Sequence, residues 1–509
     1  MSNRRRVLRD HPPVVIEDFN GLWNRGGDEA VPIDHFAQAR NIQYGESNFT
    51  TRDGLDVDVP GVQNIVRMYN YKLQDGESLI ILDSSGNFYH ALYDGTDTVY
   101  GPILTIAGAD DFGFHAVAGR AYITPFETNP DSDGVNKSNG ISGEFVYVYK
   151  GDGTAARKAA GNPPTGAAMG VAAGTGNSDL GFHLFAVVYE TDTGYLTALG
   201  PGTFTGYTSV STTAGYAISG VPVSPDSFVV ARHIVMTKAI LNYNGDQDGY
   251  QFFFAPDGKI NDNTTTTINI SAFDIDLLDD ASHLIDNFSE IPACVGLTNY
   301  NNRMVLSCFS GDDISLVRLS APGEPEAIDQ VDGNIIVPLD GNPVTIAQEY
   351  RDVLYLFKFN RTYASVDNLD VPSTWAGPQV VDNGIGSPVH GIATVLDSGG
   401  VNIESLIIAD CSGLMVFNGR YARPELSFKI QDLWLGLDAN LFHRLQLVNN
   451  TVEQFYFCVL PDWTLLFWDY ARGLDPKNVR FATWDFDIQV NTVAIAEKHV
   501  LKIGSAGTL

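Results

Sequence analysis

The sequence has few basic residues for its size. Only 31 of its 509 residues are Lys or Arg, against 61 Asp or Glu, so the formal net charge is −30. A surface of this sign repels phosphate and anionic lipid, which argues against tight binding of nucleic acid or a membrane by the whole surface. High solubility, a salt-rich habitat and a channel through which DNA slides without sticking would each favour this charge, and composition leaves the three open.

Cysteine and long apolar runs are also scarce. No run approaches the roughly 18 apolar residues of a membrane span, and the first ten residues lack the apolar core of a signal peptide. We therefore expect no membrane partner. Four cysteines are compatible with two disulfides, but unpaired thiols in a protein made in the cytosol are the favoured interpretation, since no C-x-x-C pair occurs. They are Cys294, Cys308, Cys411 and Cys458.

The motifs of common catalytic sites are missing as well. The sequence has no G-x-S-x-G elbow, no G-x-x-x-x-G-K-[ST] loop and no H-E-x-x-H pair among its 10 histidines. Two acidic turns, 129–134 and 244–249, match the first half of a calcium-binding EF-hand loop. Gly140 and Ala255 stand at the twelfth position, where calcium needs a bidentate glutamate. We therefore predict no catalytic, cofactor or metal site, and no enzymatic activity.

What the sequence does contain is a repeated hairpin. Residues 77–86 (ESLIILDSSG) nearly recur at 404–413 (ESLIIADCSG), each as an apolar strand, an Asp/Ser/Gly turn and a second strand. Looser copies follow at intervals of roughly 40–50 residues, the spacing typical of propeller blades. The prediction is an all-β fold built on a β-propeller of about six blades. A sandwich or jelly roll of similar hairpins is the alternative.

Changes in composition predict four parts of the chain. Residues 155–176 are rich in Ala, Gly and Pro and indicate a linker, and the strands that follow are spaced as in a small sandwich. The predicted parts are an extended N-terminal arm (1–60), the first part of the propeller (61–158), an inserted immunoglobulin/fibronectin-like β-sandwich domain (159–289) and the second part of the propeller (290–509). The arm either becomes ordered on a partner or closes the ring by pairing near residues 500–503.

Three segments, read in chain order, resemble one family. Residues 163–265 are similar to the immunoglobulin-like or fibronectin-like domain of many phage structural proteins, and residues 301–326 resemble the blade that re-enters the propeller in them. The opening pattern resembles the start of the tail nozzle and tail tubular proteins of short-tailed bacteriophages. Its residues are Gly21-Leu22, Pro32, Asn41-Ile42 and Arg52-x-Gly54-Leu55.

The resemblance implies a virion structural protein of the tail, assembled in the host cytoplasm. It implies a hexameric ring below the portal and adaptor proteins, contacts with tail fibre or needle proteins, and a DNA exit channel that retains double-stranded DNA and then passes it at ejection without specific binding. Candidate assembly contacts lie in the arm, for which a disordered N-terminal segment is the alternative. They are Arg4, Arg5, Arg6, Arg9 and Trp23.

Two other functions stay open at this point. A carbohydrate-binding or glycan-cleaving propeller at a tail tip or cell surface would use aromatic platforms such as Trp23, Trp463 or Trp484. A host scaffold propeller that binds basic peptides would also suit the acidic surface.

Overall fold

The computed structural model describes most of the chain after residue 61. The described residues are 62–73, 76–93, 98–127, 145–166, 169–179, 181–207, 214–240, 245–309, 314–397, 403–451, 453–496 and 500–508, with 22, 32, 38–40, 42–44 and 49–51 before them. Contacts divide the chain into two compact units, one of residues 62–389 and one of residues 1–61 with 390–509. Among these residues no helix has both the length and the apolar character needed to cross a membrane.

The described part of the N-terminal segment lies beside a strand of its own unit. It contains a short hairpin of β1 (Ile42–Tyr44) and β2 (Phe49–Thr51). The Leu22 amide donates to the Phe481 carbonyl at 2.9 Å, and the Thr483 amide donates to the Ala39 carbonyl at 2.9 Å. These residues therefore run along the segment 480–484, not along residues 500–503 as the closing-strand prediction had it.

The described residues between 65 and 158 form two four-stranded antiparallel sheets in which each strand pairs with the next along the chain. The strands of the first sheet, blade A, are β3 (Ile65–Leu73), β4 (Gly76–Asp83), β5 (Asn87–Tyr93) and β6 (Thr98–Thr105). Those of the second, blade B, are β7 (Asp111–Val117), β8 (Arg120–Phe126), β9 (Tyr147–Tyr149) and β10 (Arg157–Lys158).

The repeated hairpin is formed as the sequence predicts. The Asp83 carboxylate accepts hydrogen bonds from the amides of Ser85 and Asn87 at 2.8 and 2.9 Å, and Gly86 follows at φ +81°. In the second copy Asp410 accepts from the amide of Ser412 at 2.8 Å. Local side-chain caps and a glycine thus define both turns.

Residues 170–270 form a sandwich of two antiparallel sheets, in the order β11-β14-β17 and β13-β12-β15-β16. Alternate residues of the long strand β12, such as Phe185 and Val187, face Tyr216 and Ile218 of the other sheet. The intervening residues, such as Leu184 and Val188, pack against the 3-10 helix Ser282–Asp286, so β12 is buried on both faces. The strands are β11 (Gly170–Gly174), β12 (Gly181–Thr191), β13 (Thr203–Tyr207), β14 (Gly215–Ser219), β15 (Val229–Thr237), β16 (Phe252–Ile260) and β17 (Thr267–Ile270).

Two further four-stranded meanders follow the sandwich, after a 3-10 turn at Asp274–Asp276. Blade C contains β18 (Cys294–Tyr300), β19 (Arg303–Phe309), β20 (Leu316–Leu319) and β21 (Asn334–Ile336). Blade D contains β22 (Val344–Tyr350), β23 (Val353–Lys358), β24 (Thr362–Ser365) and β25 (Gln379–Asp382), with a 3-10 turn at Pro372–Thr374.

Blades A to D contact one another through their first strands, β3 with β7, β7 with β18, and β18 with β22. Glycine permits this approach, since a Cβ on Gly113 of β7 would lie 2.2 Å from the Val295 carbonyl oxygen of β18. Thr124 also donates to the Cys294 carbonyl at 2.5 Å and accepts from the Cys294 amide at 2.9 Å. First strands side by side are the arrangement of propeller blades.

The other unit repeats the pattern. Blade E contains β26 (Ile392–Asp397), β27 (Ile403–Asp410) and β28 (Gly413–Phe417). Blade F contains β29 (Gln446–Asn450), β30 (Phe455–Val459), β31 (Leu465–Asp469) and β32 (Arg480–Trp484). A separate two-stranded hairpin follows, formed by β33 (Ile488–Ala496) and β34 (Val500–Thr508). In the sequence, helix α1 (Gln431–Leu435) and two 3-10 helices, Leu426–Ile430 and Ala439–Arg444, connect blade E to blade F. The fold is all-β, with six blade-like sheets of three or four strands in the described residues, as predicted.

A methyl group at Gly113 should destabilise the contact between blades B and C. Gly113→Ala places its Cβ against the Val295 carbonyl oxygen and against the Thr124 methyl group at 2.7 Å, so we expect a loss of about 1–3 kcal/mol in the free energy of unfolding. Urea denaturation measures this loss. In the control Gly377→Ala, nothing lies within 4 Å of the new Cβ, and a change as large there would contradict the account.

Acid should weaken the contact between blades A and B at His90. The Gly153 amide donates to the Tyr149 hydroxyl at 2.9 Å, which leaves that hydroxyl to donate to His90 Nδ1 at 2.8 Å. Burial lowers the pKa of His90 from 6.5 to about 4. Because the folded-state pKa is the lower one, the stability is present above the unfolded-state pKa and is lost as the pH falls toward 4.

Urea midpoints measured between pH 7 and 4 (about the range set by the two pKa values) test this expectation. We expect His90→Gln to flatten the fall in stability, while His283→Gln, at an exposed position, leaves it unchanged. An identical pH dependence in His90→Gln and the natural chain would contradict the assignment.

Candidate functional site

A buried ionic network joins the sandwich to blades B and C. Arg157 of β10 contacts Asp192, in the turn after β12, at 2.9 Å, and contacts Glu326, in the loop between β20 and β21, at 3.2 Å. The exposed fractions of the three side chains are 12%, 15% and 2%. Because the three residues belong to three different sheets or their turns, one guanidinium fixes the sandwich against two blades.

The remaining hydrogen-bonding positions of this network are occupied. Glu326 Oε2 accepts from the Ala160 amide at 2.7 Å, and Lys150 Nζ contacts Asp192 Oδ2 at 2.6 Å. The guanidinium of Arg157 also lies 4.4 Å from the centre of the Phe228 ring, on the edge of the sandwich. Burying charge is favourable only when the charges are paired and bonded in this way.

The two chain segments that enter and leave the sandwich are tied to each other. Lys158 Nζ contacts Glu290 at 3.1 Å, and Asn162 donates to the same carboxylate at 3.0 Å. The Tyr195 hydroxyl donates to the Phe288 carbonyl at 2.9 Å. The insert is therefore held where the chain enters it and where the chain leaves it. We call these contacts, together with the Arg157–Asp192–Glu326 network, the insert clamp.

The electrostatics of the insert clamp suit a structural role. Burial opposes ionisation of Asp192, but the hydrogen bonds and charges of Lys150 and Arg157 outweigh it and lower the pKa of this carboxyl group. Burial raises the pKa of Tyr195 and of Tyr122 well above the usual range. The acids and bases of the cluster pair with each other, and ion-pair networks and active sites both perturb pKa values in this way.

A small cleft lies beside the insert clamp. Its volume is about 90 Å3, and its walls include Arg120, Tyr122, Tyr195 and Glu324. Arg120 donates to the Thr193 carbonyl at 3.0 Å across one side. Ligand pockets for small molecules measure about 300–1,000 Å3, so this cleft is smaller than a typical small-molecule site.

The candidate assembly contacts predicted from the sequence all belong to the N-terminal arm. Arg4, Arg5, Arg6, Arg9 and Trp23 lie outside the described residues.

Trp463 and Trp484 are the two other tryptophans that the glycan-binding alternative proposes as sugar-stacking platforms. Trp484 is 9% exposed and stacks on Phe467, with ring centres 4.9 Å apart. Trp463 is 36% exposed, and the Arg444 guanidinium lies 5.5 Å from its ring centre. Trp484 is therefore a core residue and is unavailable to a ligand.

The two acidic turns that match half of an EF-hand loop are covered only in part by the described residues. Turn 129–134 lies outside them, and in turn 244–249 Asp246 accepts a hydrogen bond from the Asp248 amide at 3.2 Å. Among the described residues, no group of three or more His, Cys, Asp or Glu side chains is placed to hold a metal ion.

Three of the four cysteines are free thiols, Cys294 and Cys458 being buried and Cys411 half-buried, as the favoured interpretation held. Burial, with the neighbouring Asp410, raises the pKa of Cys411 to about 12. The side chain of Cys308 lies outside the described residues.

The predicted linker at 155–176 is wrong. It contains β10 and β11, and Ala159 and Ala160 are completely buried at the insert clamp. Small side chains stand there because sandwich and blades pack closely, which composition alone does not distinguish from a flexible connection. Arg157 and Lys158, two cations inside an Ala/Gly/Pro-rich stretch, were the available sign of an ionic contact.

Comparison with known proteins gives structural likeness only. No protein-family model and no curated protein matches the sequence. Hsv2 from Kluyveromyces lactis is 9% identical over 83% of this chain and 98% of that chain, at a TM-score of 0.29.

Two other solved structures give similar values. The WD40 domain of SCAP from fission yeast is 7% identical over 89% and 96% of the two chains (TM-score 0.32). Apo AztD from Citrobacter koseri is 10% identical over 91% and 92% (TM-score 0.30). Scores of this size support no functional argument, and the description of the blades rests on the strand pairings.

Removing the buried charge of Glu326 should loosen the insert clamp. Glu326→Gln leaves Arg157 with one carboxylate partner, and losing one partner of a buried ion pair lowers the free energy of unfolding by about 3 kcal/mol. The measurement is urea denaturation together with limited proteolysis of the sandwich. Glu324→Gln, two positions away on an exposed side chain, is the matched control. Equal stability of the two variants would show that the network does not fix the sandwich.

Proposed function

We propose that this chain is a virion structural protein of the nozzle type, one subunit of a tail ring through which genomic DNA is retained and then passed at ejection. The observation that supports this most is the insert clamp. An inserted domain fixed to its frame by a buried, fully paired ionic network suits a load-bearing part. The function itself rests on the three segments that resemble tail nozzle and tail tubular proteins.

The charge of the chain is compatible with this role. A net charge of −30 on 509 residues repels the phosphates of passing DNA, so a wall made of such subunits would guide the duplex without binding it. On this proposal the partners are further copies of the chain, the portal or adaptor proteins, and fibre or needle proteins. The protein would act by mechanical stability, without catalysis.

Quantitative mass spectrometry of nuclease-resistant particles from the source tests the proposal. We expect the chain in the particles at about six copies each, the number implied by a hexameric ring. A capsid protein of known copy number in the same particles is the internal standard. Absence of the chain from purified particles would contradict the proposal.

A glycan-binding or glycan-cleaving propeller is the alternative from another class. One of its three suggested stacking platforms is lost because Trp484 is buried, and the cleft beside the insert clamp is smaller than a typical small-molecule site. Binding of purified full-length chain to defined saccharides on a glycan array would favour this alternative over the nozzle.

A further inference from the structure

The turn that follows the last strand of the sandwich exposes two large apolar side chains. Ile275 is 81% exposed and Leu278 is 79% exposed, with Phe273 beside them at 38%. The same turn carries four acidic residues between and after them. They are Asp274, Asp276, Asp279 and Asp280. We call residues 273–280 the acidic knob.

The acidic knob is held in place by the sandwich. Leu277 is 1% exposed and belongs to the sandwich core. The Phe254 amide donates to the Asp279 carbonyl at 2.9 Å, and the Ala239 amide donates to the Asp274 carboxylate at 2.9 Å. Because backbone and core contacts fix both ends of the turn, the exposure of Ile275 and Leu278 is part of the fold.

Exposed apolar side chains in a ring of charge indicate a contact surface. An acidic rim selects a basic partner, since complementary charge steers association and suppresses wrong partners. Lys238 precedes Ala239, whose amide bonds Asp274, and His183 Nδ1 lies 4.0 Å from the Asp274 carboxylate. The four aspartates outnumber these two basic side chains, so the turn keeps an excess of negative charge. A fitting occupant would therefore present a short apolar segment between cations.

The N-terminus of this chain has that pattern. Residues 4–9 read Arg-Arg-Arg-Val-Leu-Arg, two apolar residues between four arginines. In the whole sequence, this is the only stretch of nine residues or fewer with four basic residues. The segment lies outside the described residues, and its sequence is the complement of the acidic knob in both charge and apolar content.

We propose that residues 1–10 of one copy bind the acidic knob of a neighbouring copy. Copies with a net charge of −30 repel each other, so a stable ring needs opposite charges at its contacts. The contact between the basic arm and the acidic knob supplies such charges. Such a head-to-tail contact closes a ring when the rotation allows it. The inference rests on the proposed ring, and names the contact that would join its subunits.

A photo-crosslink in the full-length chain tests the contact. p-Benzoylphenylalanine at position 3 (Asn3→p-benzoylphenylalanine) leaves the arginines, Val7 and Leu8 intact. An equal mixture of unlabelled and 15N-labelled chains is irradiated and analysed by mass spectrometry. We expect crosslinks from the N-terminal peptide to the peptide containing residues 273–280, with mixed isotopes because the two peptides come from different copies.

Two variants keep the test specific. Ile275→Ser with Leu278→Ser should lower the crosslink yield about tenfold, as expected when apolar burial is removed, while Leu435→Ser, at another exposed leucine, should retain it. Asp276→Lys with Asp279→Lys should also abolish the crosslink by repelling the arginines. Both pairs of changes lie at exposed positions, and an unchanged thermal melt confirms the fold.

The opposite results overturn the inference. Crosslinks found only within one copy, crosslinks to other surfaces, or an undiminished yield in the Ile275→Ser, Leu278→Ser variant would each contradict the contact between copies. The particle measurement separates this failure from that of the proposed function. A chain present in particles but without the crosslink contradicts only the arm contact, and a crosslinked chain absent from particles contradicts only the nozzle function.

Discussion

The ion pair between Arg157 and Glu326 helps to fix the position of the sandwich on blades B and C. A nearly completely buried carboxylate is stable only while its cationic partner is in place, and that partner is simultaneously bound to Asp192 of the sandwich. Loss of Arg157 would leave the Glu326 carboxylate buried without its cationic partner. The sandwich and the four blades all belong to the compact unit of residues 62–389.

The second constraint is the close approach of neighbouring blades, which requires a glycine where a side chain would collide with the next blade. Gly113 lets β7 lie against the backbone of β18. Thr124 supplies hydrogen bonds at the same junction. The frame therefore combines backbone contact between blades with ionic contact to the insert, and both are short-range and geometrically demanding. Such contacts favour one arrangement of the parts over a range of arrangements.

The local features of this fold could be read from the sequence, and the long-range ones could not. The hairpins at 77–86 and 404–413 were predictable because Asp83 and Asp410 cap their own turns within a few residues. The insert clamp was not, since Arg157 lies 35 positions from Asp192 and 169 from Glu326. Trp484 was misjudged for a related reason, because its burial against Phe467 comes from strand pairing. The described N-terminal residues likewise pair with β32, a partner that composition does not specify.

The insert clamp holds the inserted domain on blades B and C, so the domain does not hang on a flexible linker. The central claim is that the sandwich has one fixed position on blades A to D. Double electron–electron resonance between spin labels at Asn269→Cys in β17 and Gln379→Cys in β25, with Cys411 replaced by Ser, tests it most directly. The account predicts a single narrow distance distribution, and a broad or bimodal one would contradict it.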